Sequence, residues 1–136
     1  MSKRALHSDA LKLVRDARKR AKKKHLDMTL IADDITLLYT QQRGLCTLSG
    51  RPLGFGRVSR NSANAVSLDR IVAGEAYSLP NVQLLCRCVN NAKSTLSTEE
   101  FVRMCQDVGN CYGATTGRRS SPTSGLSAVA SLASDC

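Results

Sequence analysis

The chain has 136 residues, 42% of them hydrophobic, and a formal net charge of +9, which suffices for one domain with a modest core and is too little for two ordinary ones. The opening Met1-Ser2-Lys3-Arg4 has charge but no apolar run behind it, and no stretch has the apolar length to span a bilayer, so a soluble, non-secreted protein is expected. The six cysteines (Cys46, Cys86, Cys88, Cys105, Cys111 and Cys136) show no framework spacing and are read as reduced thiols.

The charge is concentrated. Residues 3–24 hold ten Lys/Arg against Asp9 and Asp16, a net of +8, and residues 25–136 keep only +1. A basic segment joined to a near-neutral domain suits a polyanion such as nucleic acid; the plainer alternative is a solvated helix face or a tail. Leu6, Ala10, Leu13, Val14, Ala17 and Ala21 recur at helical steps, which predicts one amphipathic basic helix over about 5–24. A second helix is predicted over about 33–43, with Ile35, Leu38 and Tyr39 on its apolar side, Asp33 and Asp34 at its positive end and Gly44 as its stop.

Beyond Gly44 the pattern shifts to short extended pieces. Residues 45–48 read as a strand entering the turn Ser49-Gly50-Arg51-Pro52, and 54–64 as a polar loop. Strands are predicted at 66–71 and 82–86, separated by a loop with Gly74 and Pro80, and a short helix at 87–93. Ser97-Thr98-Glu99-Glu100 fits a capping box for a last helix, with Phe101, Val102, Cys105 and Val108 on its apolar face and Gly109 at its end. From Gly113 the composition falls to Ser, Ala, Gly and Thr, which reads as a flexible tail.

A strand ending in Asp69, a loop, a second strand and a helix carrying Asn90 form a ββα order that can bring the two residues to one point. A carboxylate and an amide carbonyl are both oxygen donors, suited to a hard cation such as Mg²⁺ or Mn²⁺ that also takes phosphate oxygens and water. Bland readings exist for each: a strand-end ion pair for Asp69-Arg70, a turn for Asn81, a helix cap for Asn90-Asn91.

From about residue 15 to 106 the sequence resembles the HNH endonucleases, the His-Me finger or ββα-metal nucleases common in bacteriophages and prophages. The resemblance rests on the basic run Ala17-Arg18-Lys19-Arg20-Ala21-Lys22-Lys23-Lys24, on Gln42-Arg43-Gly44-Leu45-Cys46-Thr47-Leu48-Ser49-Gly50-Arg51-Pro52-Leu53, on Ser67-Leu68-Asp69-Arg70-Ile71, on Tyr77 with Asn81-Val82-Gln83, on Asn90 with Lys93, and on the Glu100-Phe101 helix. It implies an α+β fold with a ββα-metal core, and Mg²⁺- or Mn²⁺-dependent cleavage or nicking of double-stranded DNA in the cytoplasm of a bacterial host. Asp69 and Asn90 match the metal ligands, Asn81 the asparagine that holds the intervening loop, and Lys93 a phosphate contact. Arg15, Arg18, Lys19, Arg20, Lys22, Lys23 and Lys24 are the further DNA contacts expected. The chain departs from the family where a histidine most often activates water: Arg70 stands there, and a guanidinium is no general base. Arg70 is expected to clamp a phosphate oxygen, with the base supplied by solvent, substrate phosphate or Tyr77.

Three segments are expected: a DNA-contacting basic helix (1–28), the nuclease domain (29–112) and the tail (113–136). Structural zinc is not expected, since Cys46-Thr47-Leu48-Ser49 lacks its second thiol and Cys86-Arg87-Cys88 is one residue too tight. The rival reading is a DNA-binding accessory module that kept the fold and lost catalysis. If Asp69 and Asn90 only bind metal, replacing either with alanine should spare the fold.

Overall fold

Ser2 opens the first helix by accepting a hydrogen bond from the Arg4 N–H at 3.3 Å, and His25, in the left-handed region at φ 54°, closes it. Between them α1 (Lys3–Lys24) buries Leu6, Ala10, Val14, Ala17 and Ala21, one residue per turn. The computed structural model describes residues 2–116, and the expected tail beyond Thr116 lies outside the described residues. Helix α2 (Ala32–Gln41) follows. The Asp34 carboxylate accepts from the Ile31 N–H at 2.9 Å, which satisfies a donor at the helix start. Gly44 ends the turn after α2 at φ 71°, a left-handed backbone that favours glycine, and a Cβ there would lie 2.8 Å from the Tyr39 hydroxyl and force that side chain to shift.

The strand expected at 45–48 is instead a tight reversal. Leu45 and Pro52 form an isolated antiparallel bridge, and the Gly50 N–H donates to the Cys46 carbonyl at 2.9 Å, with Gly50 at φ 70°. Four residues that include a turn before a proline are too few for a ladder. Within the expected 54–64 loop a single helical turn forms, α3 (Gly56–Ser59).

The sheet has two strands, β1 (Val66–Arg70) and β2 (Val82–Cys86), paired antiparallel with Asp69 opposite Gln83 and Arg70 opposite Val82. All five residues of β2 are buried. The Leu84 backbone groups not used by β1 are met by a side chain: the Gln42 amide accepts from the Leu84 N–H at 3.0 Å and donates to the Leu84 carbonyl at 2.9 Å, covering this edge of the strand. Helix α4 (Arg87–Lys93) follows β2 directly. The core gathers Ala10, Val14, Ala17 and Ala21 of α1 with Ile35 and Leu38 of α2 and with Leu68, Leu84, Leu85 and Cys86 of the sheet.

The protein is thus α+β. Contacts among the described residues divide them into two compact units, one running up to Thr98 and one starting at Glu99. No break falls at residue 28, where the sequence reading placed one, because the apolar face of α1 is part of the first unit's core. The second unit contributes α5 (Thr98–Thr116), which begins right after Ser97 and continues past Gly109; one glycine costs a helix only about 1 kcal/mol relative to alanine. Cys105, expected on the buried side of this helix, is exposed. Among the described residues no helix is long and apolar enough to cross a membrane.

Candidate functional site

The geometry of the site starts from the strand register. Because Asp69 and Gln83 are cross-strand partners, their side chains leave the same face of the sheet, and the Gln83 Nε2 donates to Asp69 Oδ2 at 2.9 Å. Helix α4 packs on that face. Asn90 and Lys93, three residues apart, project from one side of α4. Lys93 Nζ lies 3.3 Å from Asp69 Oδ1 and 3.2 Å from Oδ2. Lys93 is 0% exposed and Asp69 6%, so this is a buried ion pair with the carboxylate held from two sides. Lys93, expected to face a DNA phosphate, therefore does not reach the surface, because α4 turns it inward onto Asp69.

Asn90 makes its hydrogen bonds through Nδ2, to Ser67 Oγ at 2.6 Å and to the Leu68 carbonyl at 3.5 Å. The amide is thereby oriented against β1, and Oδ1 is the end left for a ligand. Asn81 clamps the loop after β1, its Oδ1 accepting from the Val72 N–H at 2.9 Å and its Nδ2 donating to the Val72 and Ala76 carbonyls at 3.1 and 3.0 Å. Arg70, at the start of that loop, donates to the Glu75 carbonyl at 3.0 Å, and its guanidinium stacks 4.7 Å from the centre of the Tyr77 ring. Tyr77 is 3% exposed, and its hydroxyl accepts from Arg20 Nε at 3.3 Å. One buried ring thus holds two guanidinium groups.

These residues line one cleft of about 440 Å³, with Asp69, Arg70, Tyr77 and Asn90 from the ββα unit and Arg20 and Lys24 from α1. Among the described residues Asp69 is the one carboxylate in its lining, and Lys93 offsets it, so Arg20, Lys24 and Arg70 leave the cleft net positive and suited to an anion. Neither His7 nor His25 lines it. Of the other cations expected to touch DNA, Arg15 and Arg18 line a separate concavity near Ile31, and Lys19, Lys22 and Lys23 are exposed on α1. Sequence reasoning missed Gln83 and Ser67, since both act through the register and the α4 docking, and it missed the Arg20–Tyr77–Arg70 stack, whose members are 57 residues apart at the Arg20–Tyr77 bond.

Cys46 and Cys86 are neighbours away from this cleft, both buried. Burial pushes the Cys86 thiol up to about 11, and the neighbouring Cys46 adds to the rise. Burial also acts to raise Cys46, but hydrogen bonds from the Ser49 side chain and from the backbone at Cys86, Ser49 and Leu48 bring it below the ordinary thiol value. Among the described residues no group of three or more His, Cys, Asp or Glu side chains is placed to hold a metal ion. The chain matches no family model, no curated protein and no solved structure.

Proposed function

We propose that the chain is a divalent-metal-dependent DNA endonuclease of the HNH-like kind, nicking or cleaving phosphodiester bonds of double-stranded DNA. The observation that carries this reading is the common cleft of Asp69 and Asn90, one from β1 and one from α4, rimmed by Arg20, Lys24 and Arg70. A phosphodiester is an anion, and a site for its hydrolysis needs positive charge around an oxygen-donor pair.

The donor set decides how a metal ion would fit. A carboxylate offers about four lone-pair positions; Lys93 reaches both Asp69 oxygens and Gln83 one. The remaining position and Asn90 Oδ1 make two oxygen donors. That fits Mg²⁺ or Mn²⁺ only as an ion that keeps most of its water and takes further oxygens from the substrate phosphate. When bound, such an ion supplies charge neutralisation at the scissile phosphate and leaving oxygen. Lys93 and Gln83 hold the Asp69 carboxylate in place, Ser67 fixes the Asn90 amide, and Arg70, pre-oriented by Glu75 and Tyr77, holds a phosphate oxygen through its free N–H groups. The attacking water gives its proton to solvent or to a substrate phosphate oxygen. The reading assigns the protein to the cytoplasm of a bacterial host, encoded by a phage or prophage.

A second reading, a DNA-binding module without catalysis, is favoured by the engagement of Asp69 with Lys93 and Gln83 and by the lack of a histidine in the cleft among the described residues. Supercoiled plasmid incubated with the protein and Mg²⁺, Mn²⁺ or EDTA separates the two. Nicking that EDTA abolishes supports the nuclease; retarded plasmid that stays supercoiled with either metal supports the binder and refutes the nuclease.

A further inference from the structure

The cleft at Asp69 and Asn90 has a neighbour. A second concavity, about 450 Å³, is lined by Lys12 and Arg20 of α1, Val66 and Ser67 of β1, and Arg60, Arg87 and Asn91. Arg20 lines both concavities, and Ser67 of the second accepts the Asn90 hydrogen bond of the first. The two therefore adjoin along β1.

Charge in the second concavity is also positive. Its two carboxylates are engaged: Asp9 accepts from the Gly56 N–H at 2.5 Å, which ties the 54–64 loop to α1, and Asp16 pairs with Arg15 at 3.6 Å. Lys12, Arg20, Arg60 and Arg87 outnumber them. Arg87 further donates to the Arg60 carbonyl at 3.4 Å, holding the two arginines at one place. The strand register shows where that place is. Val66 pairs with Cys86, the residue before Arg87, whereas Arg70 pairs with Val82 at the other end of the sheet. Arg60 and Arg87 thus mark one end of the groove, and Arg70 and Lys24 the other, separated by the length of β1, about 13 Å at ~3.3 Å per residue.

We propose that this groove seats one strand of a nucleic acid along β1, with one phosphate at Asp69 and Asn90 beside Arg70 and Lys24, and phosphates further along the strand on Arg60, Arg87 and Lys12. A single small anion is satisfied by one cationic end. Two such ends ~13 Å apart match a regularly charged polymer, which in a B-form strand carries one phosphate per ~3.4 Å of axial rise. Only the position at Asp69 and Asn90 rests on the nuclease reading; the strand's path is an equilibrium binding property.

The test uses the full chain, EDTA and a short labelled DNA duplex, with affinity followed by fluorescence anisotropy across a salt series. The Arg60→Ala/Arg87→Ala variant should lower the slope of log K against log salt by about two, one per phosphate contact removed. Arg60→Lys/Arg87→Lys should retain the slope, which tells lost charge from lost fold. Lys3→Ala/Arg43→Ala, equal in charge but outside both concavities, should leave it unchanged. Those results sustain the groove whether or not wild-type protein nicks plasmid. Equal slope losses in the two alanine pairs, no loss in either, or a slope lost also in the lysine pair overturns it. So does inorganic phosphate competing as well as an oligonucleotide at equal phosphate concentration.

Discussion

Lys93 and Asp69 present the sharpest problem at the scale of single residues, because a fully buried ammonium is tolerable only with a close counter-charge. The pair has one, at 3.2 Å, and Gln83 completes the carboxylate. Removing one partner of such a pair costs about 3–5 kcal/mol, since the other charge stays behind in the interior. Asp69→Ala is therefore expected to destabilise the protein by about that amount, contrary to the expectation from sequence that it would spare the fold. The double variant Asp69→Ala/Lys93→Met, which removes both charges, should recover most of the loss. Urea denaturation of the three proteins measures this directly. An Asp69→Ala midpoint close to wild type would mean that Lys93 finds water, and that the pair does not anchor α4. For activity, Asp69→Asn is the cleaner probe because it keeps the shape and an oxygen acceptor. The sequence could not disclose the pair: three residues after Asn90 a lysine reads as a surface cation, and only the docking of α4 on β1 turns it inward.

At the scale of elements, β2 has no third strand beside it among the described residues, and Gln42 stands in for one. Its amide matches a peptide group in having one acceptor and a donor, and it bonds both the N–H and the carbonyl of Leu84. The carbonyl keeps a second donor, the Thr47 N–H at 3.3 Å, so the N–H is the group that Gln42→Ala would orphan. An unsatisfied buried donor costs about 1–3 kcal/mol, and Gln42→Ala should lose about that in urea denaturation. Gln41→Ala, one residue earlier and exposed, should stay within about 0.5 kcal/mol of wild type. Matching losses in the two variants would refute the edge-covering role. The regular elements were legible because their apolar spacing is local: the buried stripe of α1, the bounds 82–86 of β2 and the 87–93 helix follow from periodicity and breakers alone. The strand expected at 45–48 was not, since a Ser-Gly turn before Pro52 leaves no room for a ladder. Asp69 and Asn90 could be brought together on paper because a ββα order constrains them. Gln42, Gln83 and the Arg20–Tyr77 bond were out of reach because each joins positions whose proximity only the tertiary packing decides.

For the whole molecule, the charge that made α1 resemble an extension sits on a helix the fold cannot lose. Its Leu6, Ala10, Val14, Ala17 and Ala21 are buried, so deleting 3–24 would remove core as well as charge, and any lost DNA binding would be uninterpretable. Charge must be taken off α1 without touching its apolar stripe. Arg20 and Lys24 line the Asp69–Asn90 cleft, whereas Lys22 and Lys23 line neither this cleft nor its neighbour. Arg20→Gln/Lys24→Gln and Lys22→Gln/Lys23→Gln remove the same charge from the same helix. If phosphates bind in the cleft, the first pair should lower the salt slope of DNA binding by about two and reduce nicking. The second pair should weaken binding only through the general field, which at physiological salt is screened over about 8 Å, and should leave the slope nearly intact. Titrating both variants with DNA across a salt series decides the point. Equal slopes would mean that DNA meets the exposed outer face of α1, and the cleft would then need a different ligand.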